Sequence, residues 1–160
     1  MVTKSSLLEL YRATHECVDL LIAHAAGMPA ALFVREIPGV GIPSVRSQLV
    51  HLVSVEGAWV NTLQNRPVLR LSAEAYPTVV SVVEAKERVM AATLDYFDRL
   101  DEATLNSVLP ERPLVWSGPL RSPAFIIQHV VTHAFHHKGQ IATLFRMLEH
   151  PIGDTDLQRD

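Results

Sequence analysis

Four stretches of this chain repeat apolar residues every three to four positions, and none sustains an alternation of two. A spacing near 3.6 sets such residues on one helix face, whereas strands need period two, so the pattern predicts an all-α fold. The first helix is expected over residues 6–26, opened by a capping box of Ser6 and Glu9 and stopped by Gly27 and Pro29. Leu7, Leu10, Thr14, Cys17, Leu21 and Ala25 mark its inward seam, which makes Cys17 a small buried hydrophobe rather than a nucleophile. The second helix starts after Ser44 as N-cap and ends near Leu63. The third covers residues 81–100, with Ser81 and Glu84 as its capping box and a stripe of Val82, Val89, Thr93, Tyr96, Phe97 and Leu100. The fourth has Ser122 as N-cap, Pro123 at its first position, and an end near residue 149.

Between residues 101 and 121 the periodicity fails, and Pro110, Pro113, Gly118 and Pro119 exclude a continuous helix. This segment reads as a long loop with a short strand at 114–116, placed to cover the mouth of a site. At 160 residues the chain has the length of one domain, and four amphipathic helices hide their stripes most simply by packing as a four-helix bundle. A function should therefore sit on the inward seams.

Composition narrows the function classes. A net charge of −3 without a basic cluster offers no footprint for a phosphate backbone, so nucleic acid is not an expected partner. No apolar run is long enough to span a bilayer, so no membrane segment is expected. The N-terminal stretch carries Glu9, Glu16 and Asp19 where a signal peptide needs an apolar core, and the single Cys17 cannot form an intrachain disulfide. Both features point to a cytoplasmic address.

Histidine is the outlier, with eight in 160 residues. On the fourth helix the seam runs through Ile126, His129 or Val130, His133, His137, Ile141, Leu144 and Leu148. At about 100° per residue, His129, His133 and His137 succeed one another at offsets of about 40° and share a face. Imidazoles crowded on a core face are costly, because a buried polar group without a partner loses roughly 2 to 7 kcal/mol. A metal ion removes that cost by taking a neutral ring nitrogen, and the spacing of four between His133 and His137 suits two ligands of one ion. His51, the one histidine inside the second helix, is the candidate for a third. Three histidines leave a coordination position open for water or substrate, the pattern of a catalytic site. No His-Glu-x-x-His, Glu-x-x-His, Gly-x-Ser-x-Gly or cysteine pair competes with this reading.

His51, Glu56 and Trp59 on the second helix, the run His133-Ala-Phe-His136-His137-Lys138-Gly139-Gln140-Ile141 on the fourth, and Asp154-Thr155-Asp156-Leu157 in the tail resemble the DinB-like family. Order, spacing and layout agree over nearly the whole chain. The resemblance implies an up-down-down-up bundle, a homodimer, and nickel, zinc or another divalent ion on His51, His133 and His137. It also implies, where members have a known activity, transfer of a low-molecular-weight thiol or metal-dependent isomerisation or hydrolysis of a small-molecule substrate.

Two classes of function fit these residues. One is an enzyme in which the ion lowers the pKa of a bound thiol or water. The other is a non-catalytic, stress-associated metal-binding dimer. The general base is not identified. Glu56 lies about 140° around its helix from His51, so it either reaches a neighbouring helix or sits at the surface. Gln140 and His129 are further candidates for the surroundings of the ion or for substrate contact.

Overall fold

The computed structural model describes residues 1–109 and 119–157. Its helices are α1 (Lys4–Ala26), α2 (Ala30–Phe33), α3 (Val45–Leu63), α4 (Val79–Arg99), α5 (Glu102–Asn106) and α6 (Pro123–Met147), with a 3-10 turn at Ala73–Ala75 and no strand among the described residues. The four long helices form the bundle. No helix among the described residues is long and apolar enough to cross a membrane.

Cross-helix contacts fix the directions. Tyr11 meets Phe97 while Asp19 pairs with Lys86, so α1 and α4 are antiparallel. Glu56 meets Thr93 and Gln64 meets Arg99, so α3 and α4 are parallel. Gln48 reaches His137 and Trp59 reaches His129, so α3 and α6 are antiparallel. The bundle is up-down-down-up. Its parallel neighbours need long crossovers, and residues 64–78 supply one. Gly57 lets this strap lie close, since a methyl group there would overlap Leu69.

The core has two apolar ends and a polar middle. One end gathers Leu21, Val45, Leu49, Val82, Ile141 and Phe145, and the other Leu7, Tyr11, Val60, Phe97, Leu105 and Ile127. Between them Thr14, His15, Glu56, Lys86, Thr93 and His137 are all buried. Cys17 is buried as expected, and burial pushes its thiol up, away from reactivity.

Several expected boundaries move. Helix α1 starts two residues early because Thr3, not Ser6, is its N-cap, the Thr3 hydroxyl accepting the Ser6 N–H, and Lys4 donates to the carbonyls of Asp98 and Leu100 at the end of α4. Its seam passes through Tyr11 and His15, whereas Leu10 is exposed. Helix α4 starts two residues before Ser81, because Thr78 is its N-cap and Thr78 and Ser81 satisfy each other's backbone N–H groups reciprocally. Helix α6 ends at Met147, where Glu149 takes a left-handed φ of 62° and His150 N–H bonds Phe145 O, closing a Schellman motif before Pro151.

The segment expected to be loop from residue 101 contains α5, capped by Asp101 and anchored by the fully buried Leu105. Five residues are too few for periodicity to show. The strand expected at 114–116 lies outside the described residues.

The two competing caps of α4 separate in a stability measurement. Thr78→Ala should lower unfolding free energy by about 1 kcal/mol, the usual worth of an N-cap. Glu84→Ala should change it by less than about 0.5 kcal/mol, as for an ordinary surface site. Urea denaturation followed by helical circular dichroism reads both.

Candidate metal centre

His51 comes from the middle of α3, and His133 and His137 from one face of α6, a turn apart. Antiparallel packing of α3 on α6 brings the three rings together, with centroids 5.1 Å apart for His51 and His133, 4.6 Å for His51 and His137, and 4.4 Å for His133 and His137. One ligand nitrogen from each lies within 4.8 Å of the other two. The three histidines are placed to bind a metal ion.

Their nitrogens are oriented for that role. Gln48 donates its amide to Ile42 O and Gln140 Oε1, both at 3.0 Å, which turns its Oε1 toward His137. His137 Nδ1–H donates to that oxygen at 2.6 Å. The lone pair of His137 is thereby left on Nε2, which lies 3.2 Å from His133 Nε2. Two nitrogens each about 2.0–2.1 Å from one tetrahedral zinc ion would lie about 3.3 Å apart. The donor set therefore fits a divalent cation in chemistry and in separation.

Burial is the main force on the protonation of these rings. Desolvation, then repulsion from neighbouring imidazoles, pushes His133 down to about 4. The same two causes, burial first, push His137 down to about 4, and burial lowers His51. Neutral imidazole is the form that binds metal. His51 and His133 are half-buried and His137 is buried, so the cluster is reached from one side.

The remaining sequence candidates fall around this cluster. His129 sits a turn away, its ring 6.0 Å from that of His133 and edge-on to Trp59 at 5.5 Å, outside the group of three. Gln140 accepts from Gln48 and stands 2.9 Å from Nε2 of the exposed His136, so its amide belongs to the hydrogen-bond chain behind His137. Lys138, next to His137, donates to Thr155 O at 2.7 Å and to Asp156 Oδ1 at 3.1 Å, tying the Asp-Thr-Asp-Leu tail to α6.

Glu56 does not face the three histidines. It points the other way into the bundle, where it accepts from the Tyr11 hydroxyl at 2.6 Å and the Thr93 hydroxyl at 2.8 Å and lies 3.1 Å from His15 Nε2. Burial alone would raise its carboxyl, but the hydrogen bond from His15, then those from the hydroxyls of Tyr11 and Thr93, hold it below the ordinary carboxylate range. Tyr11 is driven up in turn, by burial first and then by Glu56. His15 Nδ1 is buried without a hydrogen-bond partner.

Sequence reasoning missed Gln48 and His15. A fully buried glutamine three residues before His51 is one turn along the same helix, which was a usable signal. For His15 the signal was Tyr11 four residues earlier, hidden by a seam drawn through Leu10.

A family model described as the DinB superfamily matches residues 13–141 of this chain. The chain is 21% identical over 110 residues to the uncharacterized protein YizA of Bacillus subtilis (strain 168), a match covering 68% of this chain and 67% of YizA. Its fold is similar to that of a conserved protein from Enterococcus faecalis, with a TM-score of 0.69, 15% identity, and coverage of 93% of this chain and 99% of that one.

Two outcomes are expected from this geometry. Well above about pH 6.5 His133 and His137 are neutral in both the folded and the unfolded chain, and their contribution to apo-protein stability should be flat. As pH falls from there toward 4, the unfolded chain takes up protons that folded His133 and His137 refuse, so stability should fall through that window. Urea midpoints between those limits check it. Gln48→Ala should weaken zinc binding by about 10- to 100-fold, the usual effect of losing a ligand's hydrogen-bond partner, as read by competition with a chromophoric chelator.

Proposed function

We propose, from the premise that this chain belongs to the DinB superfamily, that His51, His133 and His137 hold one divalent cation and that the protein is a metal-dependent enzyme acting on a small-molecule substrate. The observation that carries this reading is the convergence of three ligand nitrogens within 4.8 Å, one of them held in its metal-binding tautomer by Gln48. Zinc or nickel suits an all-imidazole set. A cation bound there would lower the pKa of a coordinated low-molecular-weight thiol or water and so supply a nucleophile at neutral pH.

The chain's own residues account for the rest. Three protein ligands leave coordination room for thiol, water or substrate. His51 and His133, being half-buried, open that room to solvent, while the buried His137 and Gln48 form its floor. Gln48, fixed by Ile42 O and Gln140, keeps the His137 ring from rotating when the open position changes occupant. Transfer of the thiol to an electrophile, isomerisation and hydrolysis all draw on this arrangement. A second copy of the chain completes the proposed assembly as a homodimer.

Metal content decides between this reading and a cluster with no ion. Purified protein dialysed against zinc or nickel should retain one ion per chain by mass spectrometry, and the triple His51→Ala, His133→Ala, His137→Ala variant none. Loaded protein should then couple a thiol to an electrophilic dye or epoxide faster than the triple variant does. Stoichiometric uptake with no excess turnover across a panel of thiols and electrophiles would leave a metal-binding protein without catalysis.

A further inference from the structure

One of the three clustered histidines, His133, also lines a small cavity in the bundle whose wall includes Thr14, His15, Glu56 and Lys86. The cavity offers about 20 Å³ to the centre of a water-sized sphere. One water needs about 10–15 Å³ on that measure, together with polar partners. His15 is buried, at 6% exposure, and its Nδ1 has no partner, although the ring's other nitrogen is engaged by Glu56. A buried polar nitrogen left alone is costly, whereas a water in the adjoining cavity would satisfy it.

The same wall joins His15 to the cluster, because His133 contributes to it from the opposite helix. We propose that this cavity holds a single water and that His15, with Glu56 behind it, is the proton acceptor for a thiol entering the histidine site. This rests on the metal-dependent reading above and supplies the general base which that reading lacks. In the step, the thiol S–H bond breaks and its electron pair stays on sulfur. The cavity water accepts that proton and passes one of its own to His15 Nδ1. The imidazolium so formed keeps its Nε2–H on Glu56 Oε2, and the carboxylate balances its charge, as in other carboxylate-backed imidazole bases.

The neighbouring groups are arranged for this. Glu56 receives the Tyr11 and Thr93 hydroxyls as well as His15, so it already has three donors and is a poor place to leave a proton. The Tyr11 hydroxyl donates to Glu56, and Thr14 donates to Leu10 O at 2.7 Å. Lys86, the remaining charge on the wall, is neutralised by Asp19 at 2.7 Å. The nitrogen left open on this wall is therefore that of His15.

Proton accounting tests it without turnover. Cobalt-loaded protein at about pH 7, inside the range where histidine exchanges protons, is titrated with 2-mercaptoethanol. Binding is read from the thiolate-to-cobalt charge-transfer band, and released protons from a pH-stat. Wild type should release clearly less than one proton per thiol bound. His15→Gln, which keeps an amide donor for Glu56 but cannot hold the proton, should release one. Equal release from both overturns the role of His15 and leaves the metal site standing. Absence of the band in wild type overturns the thiol-activating reading and this proposal with it. Should His15→Gln not fold, nitrogen NMR of zinc-loaded wild type decides. The His15 Nδ1 signal should move to the protonated range on adding the thiol, and an unmoved signal overturns the proposal.

Discussion

Desolvation of imidazole and carboxylate groups in mid-bundle is the constraint that the rest of the structure answers. Two apolar ends supply the burial that holds the helices together, at about 25 cal/mol per Å² of apolar surface. The layer between them would be a liability if its groups were left alone. The chain meets that cost in two ways, on opposite sides of α3. Toward α1 and α4, Glu56 is satisfied internally by Tyr11, His15 and Thr93. Toward α6, His51, His133 and His137 are brought together with burial holding them neutral, an arrangement that a cation completes.

The topology makes this two-sided use of α3 workable. In the up-down-down-up order, α3 has α4 as its parallel neighbour and α6 as its antiparallel one. Residues five positions apart on α3 therefore serve different partners, Gln48 and His51 facing α6 while Glu56 turns to α4 and α1. The crossover strap is admitted by Gly57, and the tail is tied by Lys138 beside the cluster. The elements that look peripheral in the chain are thus fastened to the helices that carry the polar layer.

Much of this was legible because it is local. Helical periodicity marked all four long helices, and Ser44 and Ser122 proved to be the caps they looked like. The stripe of α4 is buried as its spacing required. Ends set by contacts far away in sequence were not legible. The start of α1 depends on Lys4 reaching the end of α4, and α5 exists because Leu105 is buried. Val2 likewise pairs through its backbone with the Asn106 side chain.

The sequence by itself determined the all-α class and the pairing of His133 with His137, since a spacing of four fixes a shared helix face whatever surrounds it. It also singled out His51 by exclusion, without showing that its ring would reach the others. Only the tertiary structure decided the direction of Glu56, the partnership of Gln48 with His137, and the approach of His15 and His133 to one cavity. Each of these joins residues dozens of positions apart. Helix periodicity states which face a side chain leaves from, while packing of helix on helix states what that face meets.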